Sequence, residues 1–154
     1  MRDPDLILRR ANASDVTGFA HCLDAAYARY RTTITDLPDM TQGCAEEIAN
    51  HQVWLVSHHD RIVGCLVLKT RPDHMMLANV AVAPDFGGRG IGRALIDLSE
   101  TQALQQGYDT MRLNTHAAMT DNLALYGHLG WVERSRTGET VTMEKHLDRL
   151  GSQP

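Results

Sequence analysis

Hydrophobic and polar positions change their spacing several times along this chain, and the changes divide it into helices and strands. After residue 14 the apolar positions recur every three or four residues, at Val16, Phe19, Ala20, Leu23, Ala26, Tyr27 and Tyr30. Because one face of a helix collects residues at this spacing, the pattern predicts a helix over about 15–30. Ser14 is the best candidate for its N-cap.

Short apolar and β-branched runs between polar turns predict strands. The predicted strands are 6–11, 53–57, 61–69, 74–83, 110–116, 131–136 and 141–147. Three further helices are predicted at about 41–50, 91–106 and 122–129. The element order is therefore β-α-α-β-β-β-α-β-α-β-β.

This order predicts an α/β (α+β) fold with one mixed sheet of about seven strands. The strands between residues 53 and 83 are joined by short connections, which favours an antiparallel meander. The long helix over 91–106 stands between two strands, and such a crossover makes those strands parallel neighbours.

Length and composition narrow the choice of function. The chain has 154 residues, which predicts one domain over 1–150 and a loose tail over 151–154. The net charge of −4 argues against nucleic acid as a partner. The N-terminus has no signal-peptide pattern, and no apolar run is long enough to span a membrane. Three cysteines without a CxxC pair are typical of reduced thiols, so we expect a cytoplasmic protein. We expect the protein to be a monomer or a homodimer.

The most conspicuous stretch is "APDFGGRGIGRAL" at 83–95, which contains Gly87, Gly88, Gly90 and Gly92. A strand ends here and a helix begins, so unpaired N–H groups and the positive end of the helix dipole meet in one place. That arrangement favours an anion, most often a phosphate, and Arg89 and Arg93 can add charge. The spacing fits neither a Walker A loop nor the G-x-G-x-x-G dinucleotide loop.

With its flanks, "VAVAPDFGGRGIGRAL" resembles the acetyl-CoA-binding signature of the GCN5-related N-acetyltransferase (GNAT) family. In that family a strand ending V-x-V-x-P leads into Q/R-x-x-G-x-G/A and a helix. Gly90 and Gly92 match the two small positions, whereas Gly87 stands where the family usually has Gln or Arg. The order of elements also matches that family over nearly the whole chain.

The resemblance implies an N-acetyltransferase whose acetyl-CoA lies between two parallel central strands that splay apart. The acceptor would be an amine of a small molecule or peptide. The implied cofactor contacts are Val80, Ala81, Val82, Gly87, Gly88, Arg89, Gly90, Ile91, Gly92, Arg93 and Asn122. The Tyr126 hydroxyl would lie near the thioester sulfur, four residues after Asn122 on the same helical face.

The general base and the acceptor are less well defined. The strand before the glycine loop has no carboxylate, and Asn79, its one strongly polar side chain, can hold a water molecule. His74 and His116 are other candidates, and a water relay is the preferred hypothesis. By analogy with the family, Tyr27, Tyr30 and Asp36 would contact the acceptor, whose identity the sequence leaves open.

Two other functions remain as alternatives. One is a CoA-binding module without turnover, and the other is a nicotinamide-dependent oxidoreductase with Arg112 near a 2′-phosphate. No metal is expected, because His58 and His59 would point to opposite faces of a strand and could not bind one ion together.

Overall fold

The structure, a computed structural model, describes residues 3–32, 34 and 42–147. The strands within these ranges are β1 (Leu6–Arg10), β2 (Gln52–His58), β3 (Arg61–Thr70), β4 (Met75–Val82), β5 (Thr110–His116), β6 (Val132–Thr137) and β7 (Thr140–His146). The α-helices are α1 (Val16–Arg31), α2 (Cys44–Asn50), α3 (Ile91–Gln105) and α4 (Thr120–His128). The predicted order of elements is confirmed.

All seven strands form one mixed sheet in the order β1-β2-β3-β4-β5-β7-β6. Strands β1 to β4 are an antiparallel meander, and β7 pairs antiparallel with both β5 and β6. Only β4 and β5 run parallel within the described sheet. The helix α3 crosses between these two strands, as the sequence predicted.

Each face of the sheet has its own hydrophobic core, because successive strand residues point to opposite faces. On β3, Leu66 and Leu68 join the core that contains α3 and Tyr126. The alternate residues Cys65 and Val67 join the core that contains α1 and α2. Fully burying one leucine or valine side chain contributes about 1.5–3 kcal/mol to the stability of the fold. Apolar contacts therefore hold α1 and α3 to the sheet, each on its own face.

The N-terminal end of α1 differs from the prediction. Ser14 is not its N-cap: it lies within a 3-10 turn over Ala13–Asp15, which Asn12 caps by accepting a hydrogen bond from the Ser14 N–H at its Oδ1. The N-cap is Asp15, which makes no side-chain cap bond. Its carboxylate instead accepts two hydrogen bonds of 2.8 Å from the Arg9 guanidinium. The hydrogen bonding from Arg9, with a smaller contribution from the Asn12 N–H, lowers the pKa of Asp15 to about 2.

Two other helices begin at different residues from those predicted. The helix α2 begins at Cys44 rather than near 41, and residue 41 lies outside the described ranges. The helix α4 begins at Thr120, so Asn122 lies in its first turn. Among the described residues, no helix is both long and apolar enough to cross a membrane.

Candidate active site

The parallel strands β4 and β5 separate along their length. They are paired only at Met75 with Met111 and at Met76 with Arg112. Beyond Met76, no described strand pairs with β4 on its β5 side. The backbone N–H and C=O groups on that edge therefore make no hydrogen bonds within the described sheet. The splay predicted for the central pair is therefore present.

A slot of about 240 Å³ opens where the two strands part. It is lined by Ala26, Tyr27, Arg29, Tyr30, Val80, Ala81, Val82, Ala83, Pro84, Gly87, Gly92, Ile96, Asn122, Leu125 and Tyr126. These residues come from α1, from the end of β4 and the loop after it, and from α3 and α4. Nine predicted site residues lie among them, although they are distant in sequence.

The glycine loop adopts the conformation that its sequence requires. A 3-10 turn over Pro84–Phe86 ends β4, and Gly88 and Gly90 follow with φ of +78° and +80°. Gly90 is the N-cap of α3 and offers no side chain to its first turn. The free N–H groups of that turn point out of the helix end, which is the usual geometry of a phosphate site.

Three predicted loop residues do not line the slot with their side chains. Ile91 is buried in the core, so only its backbone can reach a ligand. The Arg89 guanidinium lies 4.5 Å from the Phe86 ring centre and 3.8 Å from an Asp3 carboxylate oxygen. Arg93 is exposed on the first turn of α3. Side-chain contacts from Arg89 and Arg93 to a phosphate stay predictions.

Tyr126 and Asn122 lie one turn apart on α4, and both face the slot. Tyr126 is 5% exposed and packs edge-on against Trp131, with ring centres 5.8 Å apart. Burial raises the pKa of Tyr126 far above its usual value. The hydroxyl is therefore protonated at neutral pH and can donate a hydrogen bond into the slot.

Tyr27 reaches the same gap from the opposite face of the sheet. Its hydroxyl donates a 2.7 Å hydrogen bond to Asn79 Oδ1, a contact that the sequence did not predict. Burial, followed by the proximity of Tyr126, raises the pKa of Tyr27 as well. A second cavity of about 30 Å³, large enough to hold a water molecule, has these three residues in its lining.

The two candidate histidine bases lie elsewhere. His74 precedes Met75 at the end where β4 and β5 are still paired, and its Nδ1 is 2.7 Å from Asp73 Oδ1. His116 Nδ1 accepts a 3.0 Å hydrogen bond from the Ala118 N–H, so the neutral ring carries its proton on Nε2. Neither histidine lines the slot or the small cavity.

The α1 side of the slot, where the acceptor contacts were predicted, includes a residue that the sequence did not single out. Arg29 lies over the Tyr30 ring, 4.7 Å from its centre, and donates to the Tyr30 hydroxyl at 2.7 Å. Its position next to Tyr30, in a helix that carries both predicted acceptor tyrosines, could have identified Arg29 as a candidate from the sequence. Asp36, the third predicted acceptor residue, lies outside the described ranges.

The surroundings of Arg112 and His59 differ from what the sequence predicted. Arg112 donates to Glu144 Oε2 at 2.7 Å, and this ion pair weakens the oxidoreductase alternative, which required Arg112 for a phosphate. The reason given for expecting no metal is wrong. His59 lies in the β2–β3 turn rather than in a strand, with φ of 55°, and its ring centre is 4.4 Å from that of His58.

Comparison with known proteins agrees with this geometry. The model of the Acetyltransferase (GNAT) family matches residues 20–131. The chain belongs to this family. Membership of an acetyltransferase family confirms the predicted acyltransferase class. Two structurally similar proteins, PaiA N-acetyltransferase from Thermoplasma acidophilum and a GNAT family acetyltransferase from Elizabethkingia anophelis, were solved with coenzyme A and acetyl-CoA bound, in agreement with the predicted cofactor.

Two relatives share about a third of their residues with the chain over the matched region. A mycothiol acetyltransferase from Jonesia denitrificans is 35% identical over 106 residues, which cover 68% of this chain and 33% of that protein. The ribosomal protein bS18-alanine N-acetyltransferase of Salmonella typhimurium is 32% identical over 92 residues, 59% of this chain and 62% of that protein. The match thus spans less than two thirds of either relative.

Solved structures confirm the fold. PaiA N-acetyltransferase from Thermoplasma acidophilum, solved with coenzyme A, superposes with a TM-score of 0.77 at 17% identity, over 92% of this chain and 98% of that one. The ribosomal-protein-S18-alanine N-acetyltransferase of Escherichia coli gives 0.77 at 19% identity, over 97% and 98%.

Proposed function

We propose that the protein transfers the acetyl group of acetyl-CoA to an amine of a small molecule or peptide. The proposal rests mainly on one observation. A single slot combines an open strand edge, a glycine loop at the start of a helix and the protonated hydroxyl of Tyr126. Separately these features are common, but together they match what a long, phosphate-bearing thioester requires.

The chain's backbone would supply most of the cofactor contacts. The N–H groups of the loop and first turn, from Gly87 to Gly92, would hold the pyrophosphate. The open edge of β4 at Val80, Ala81 and Val82 would pair with the amides of the pantetheine arm, as a strand edge pairs with a peptide. Asn122 would contact that arm from α4.

Acetyl-CoA supplies an acetyl thioester, whose attack by an amine releases a thiolate. Tyr126 would stabilise this thiolate by donating its hydrogen bond. With ordinary pKa values of ~8.5 for a thiol and ~10 for tyrosine, complete proton transfer is uphill by ~2 kcal/mol. The raised pKa of Tyr126 makes the transfer still less favourable, so a hydrogen bond is the preferred role. A backbone N–H near Val80 would polarise the thioester carbonyl.

The amine must lose a proton before it attacks, since an alkyl amine with pKa ~10.4 is less than roughly one part in a thousand neutral at pH 7. Neither cavity has a carboxylate or an imidazole among its described lining residues. We therefore assign proton removal to a water relay that begins at a water molecule held by Asn79, in the small cavity beside Tyr27, and passes the proton to bulk solvent. Tyr27 would keep the Asn79 amide in position through their hydrogen bond.

The acceptor would approach from α1, past Tyr27 and Tyr30, with Asp36 as a further predicted contact. The two relatives above are named for mycothiol and for an alanine of ribosomal protein bS18. We therefore choose an acceptor panel that contains peptides beginning with alanine, as the second name suggests, together with free amino acids, polyamines and aminoglycosides.

The test is an assay of free thiol released from acetyl-CoA across this panel, preceded by a thermal-shift control. Acetyl-CoA at ~100 times its Kd should stabilise the fold by ~2.7 kcal/mol. Thiol release that depends on one class of amine supports the transferase. Binding without release from any amine supports the CoA-binding module instead. Absence of a thermal shift, or oxidation of NADPH followed by absorbance, would contradict the proposal.

A further inference from the structure

Two histidines and a carboxylate meet at the β2–β3 turn, outside the cofactor slot. Strands β1 and β2 are antiparallel with Leu6 opposite His58, so Asp5 lies beside the turn residue His59. His59 Nε2 is 3.9 Å from Asp5 Oδ2. One ligand atom from each of Asp5, His58 and His59 lies within 4.8 Å of the other two.

The conformation of the turn brings the two imidazoles together. In an extended strand, neighbouring side chains point to opposite faces. His59 leaves that pattern with a φ of 55°, and among the described residues it alone has a positive φ without being glycine. Its ring meets the His58 ring almost at right angles, at 73°.

One of the three ligands is already held in place. The His58 ring is half-buried and packs against buried Phe86, with ring centres 5.0 Å apart. The side chains of His59 and Asp5 are 68% and 56% exposed, so they can rotate towards an ion. Zinc bonds of ~2.0 Å in a tetrahedron place ligand atoms about 3.3 Å apart. The observed atoms need to approach by no more than about 1.5 Å.

We propose that Asp5, His58 and His59 bind a divalent transition-metal ion of the zinc class, with water in the remaining position. Imidazole and carboxylate are usual ligands of such ions. Two arginines, Arg61 and Arg89, lie over the Phe86 ring, and each has a carboxylate nearby that offsets its positive charge. Arg61 is paired with Asp85 at 2.6 Å, and Arg89 lies 3.8 Å from an Asp3 oxygen.

A bound ion would join the start of β1 to the β2–β3 turn. None of the three ligands lines the slot, so binding of the ion can be measured separately from acetyl transfer. This binding can be tested on protein stripped with a chelator and measured without acetyl-CoA.

The experiment is a calorimetric titration with Zn²⁺, together with Cu²⁺ electron paramagnetic resonance. We expect one ion per chain and nitrogen hyperfine splitting from two imidazoles. His59→Gln and Asp5→Asn should each weaken Zn²⁺ binding at least about tenfold, since even residues that only support metal ligands cost 10–100-fold when mutated. His59→Gln should also reduce the splitting to that of one imidazole.

His128→Gln is the matched control, because His128 is an exposed histidine at the end of α4 and is not part of the Asp5, His58 and His59 cluster. It should bind Zn²⁺ as the unchanged protein does. Both ligand variants alter exposed side chains, and metal-free melting temperatures within about 1–2 °C of the parent would show that they fold. Equal Zn²⁺ affinity in all variants, or no binding at micromolar concentration, would overturn the proposal.

Discussion

The two faces of the sheet contribute to the slot in different ways. On the α3 face, the candidate cofactor contacts are largely backbone groups: the edge of β4, the glycine loop and the start of α3. On the α1 face, the candidate acceptor contacts are side chains, namely Tyr27, Arg29 and Tyr30. A backbone site needs small residues and positive φ at fixed places, so it leaves a pattern in the sequence. A site made of side chains needs only a surface of the right shape, and many different sequences can form such a surface.

The largest predicted effect separates chemistry from binding on the cofactor side. Tyr126→Phe should lower kcat about 100-fold, because it removes one hydrogen-bond donor to the developing thiolate. The Kd for acetyl-CoA should stay within about twofold of the parent, as isothermal titration calorimetry can show. Tyr108→Phe is the control, since the Tyr108 hydroxyl donates to the Arg71 carbonyl outside the slot. An unchanged kcat in Tyr126→Phe would refute the assigned role.

The next prediction concerns the anchoring of α1, the helix on the acceptor face. The pKa of Asp15 is about 2, below its usual 3.8, so the Arg9–Asp15 pair stabilises the fold above pH ~4. This stabilisation should disappear as the pH falls towards 2. Its size is about 2 kcal/mol, from a shift of nearly two pKa units. Asp15→Asn should lose this amount at pH 7 in urea unfolding and leave the Kd for acetyl-CoA unchanged.

A pair of glycine variants tests whether the loop acts through its backbone. Gly90 and Gly107 flank the two ends of α3 with φ of +80° and +91°. Replacing either with alanine should cost about 1–2 kcal/mol of stability, because L-residues are strained at positive φ. Only Gly90→Ala should weaken acetyl-CoA binding, about tenfold, in calorimetry. Equal weakening by Gly107→Ala would mean that loss of stability, rather than loop geometry, lowers the affinity.

The smallest predicted effect lies on the acceptor face. Tyr27→Phe leaves Asn79 without its 2.7 Å donor, a loss of about 1 kcal/mol. We expect the acceptor KM or kcat to change about fivefold, with acetyl-CoA affinity preserved. A change confined to acetyl-CoA affinity would show that the two faces do not divide the substrates in this way.

The same contrast explains what could be predicted from the sequence. The element order, the parallel pair and the glycine loop depend on local periodicity and on residues with special backbone freedom, so they were predicted. The Tyr27–Asn79 hydrogen bond joins residues 52 apart and depends on how α1 lies on the sheet. The turn at His59 depends on a positive φ, which residues other than glycine seldom adopt, and the apparent strand pattern gave no sign of it.

The most direct test of the slot is hydrogen exchange of the backbone amides with and without acetyl-CoA. We expect slower exchange in two segments together, the end of β4 at Val80–Val82 and the loop from Gly87 to Gly92, with little change in β1 or β6. Protection that appears in only one of these segments, or elsewhere in the chain, would contradict a cofactor held along the opened strand edge.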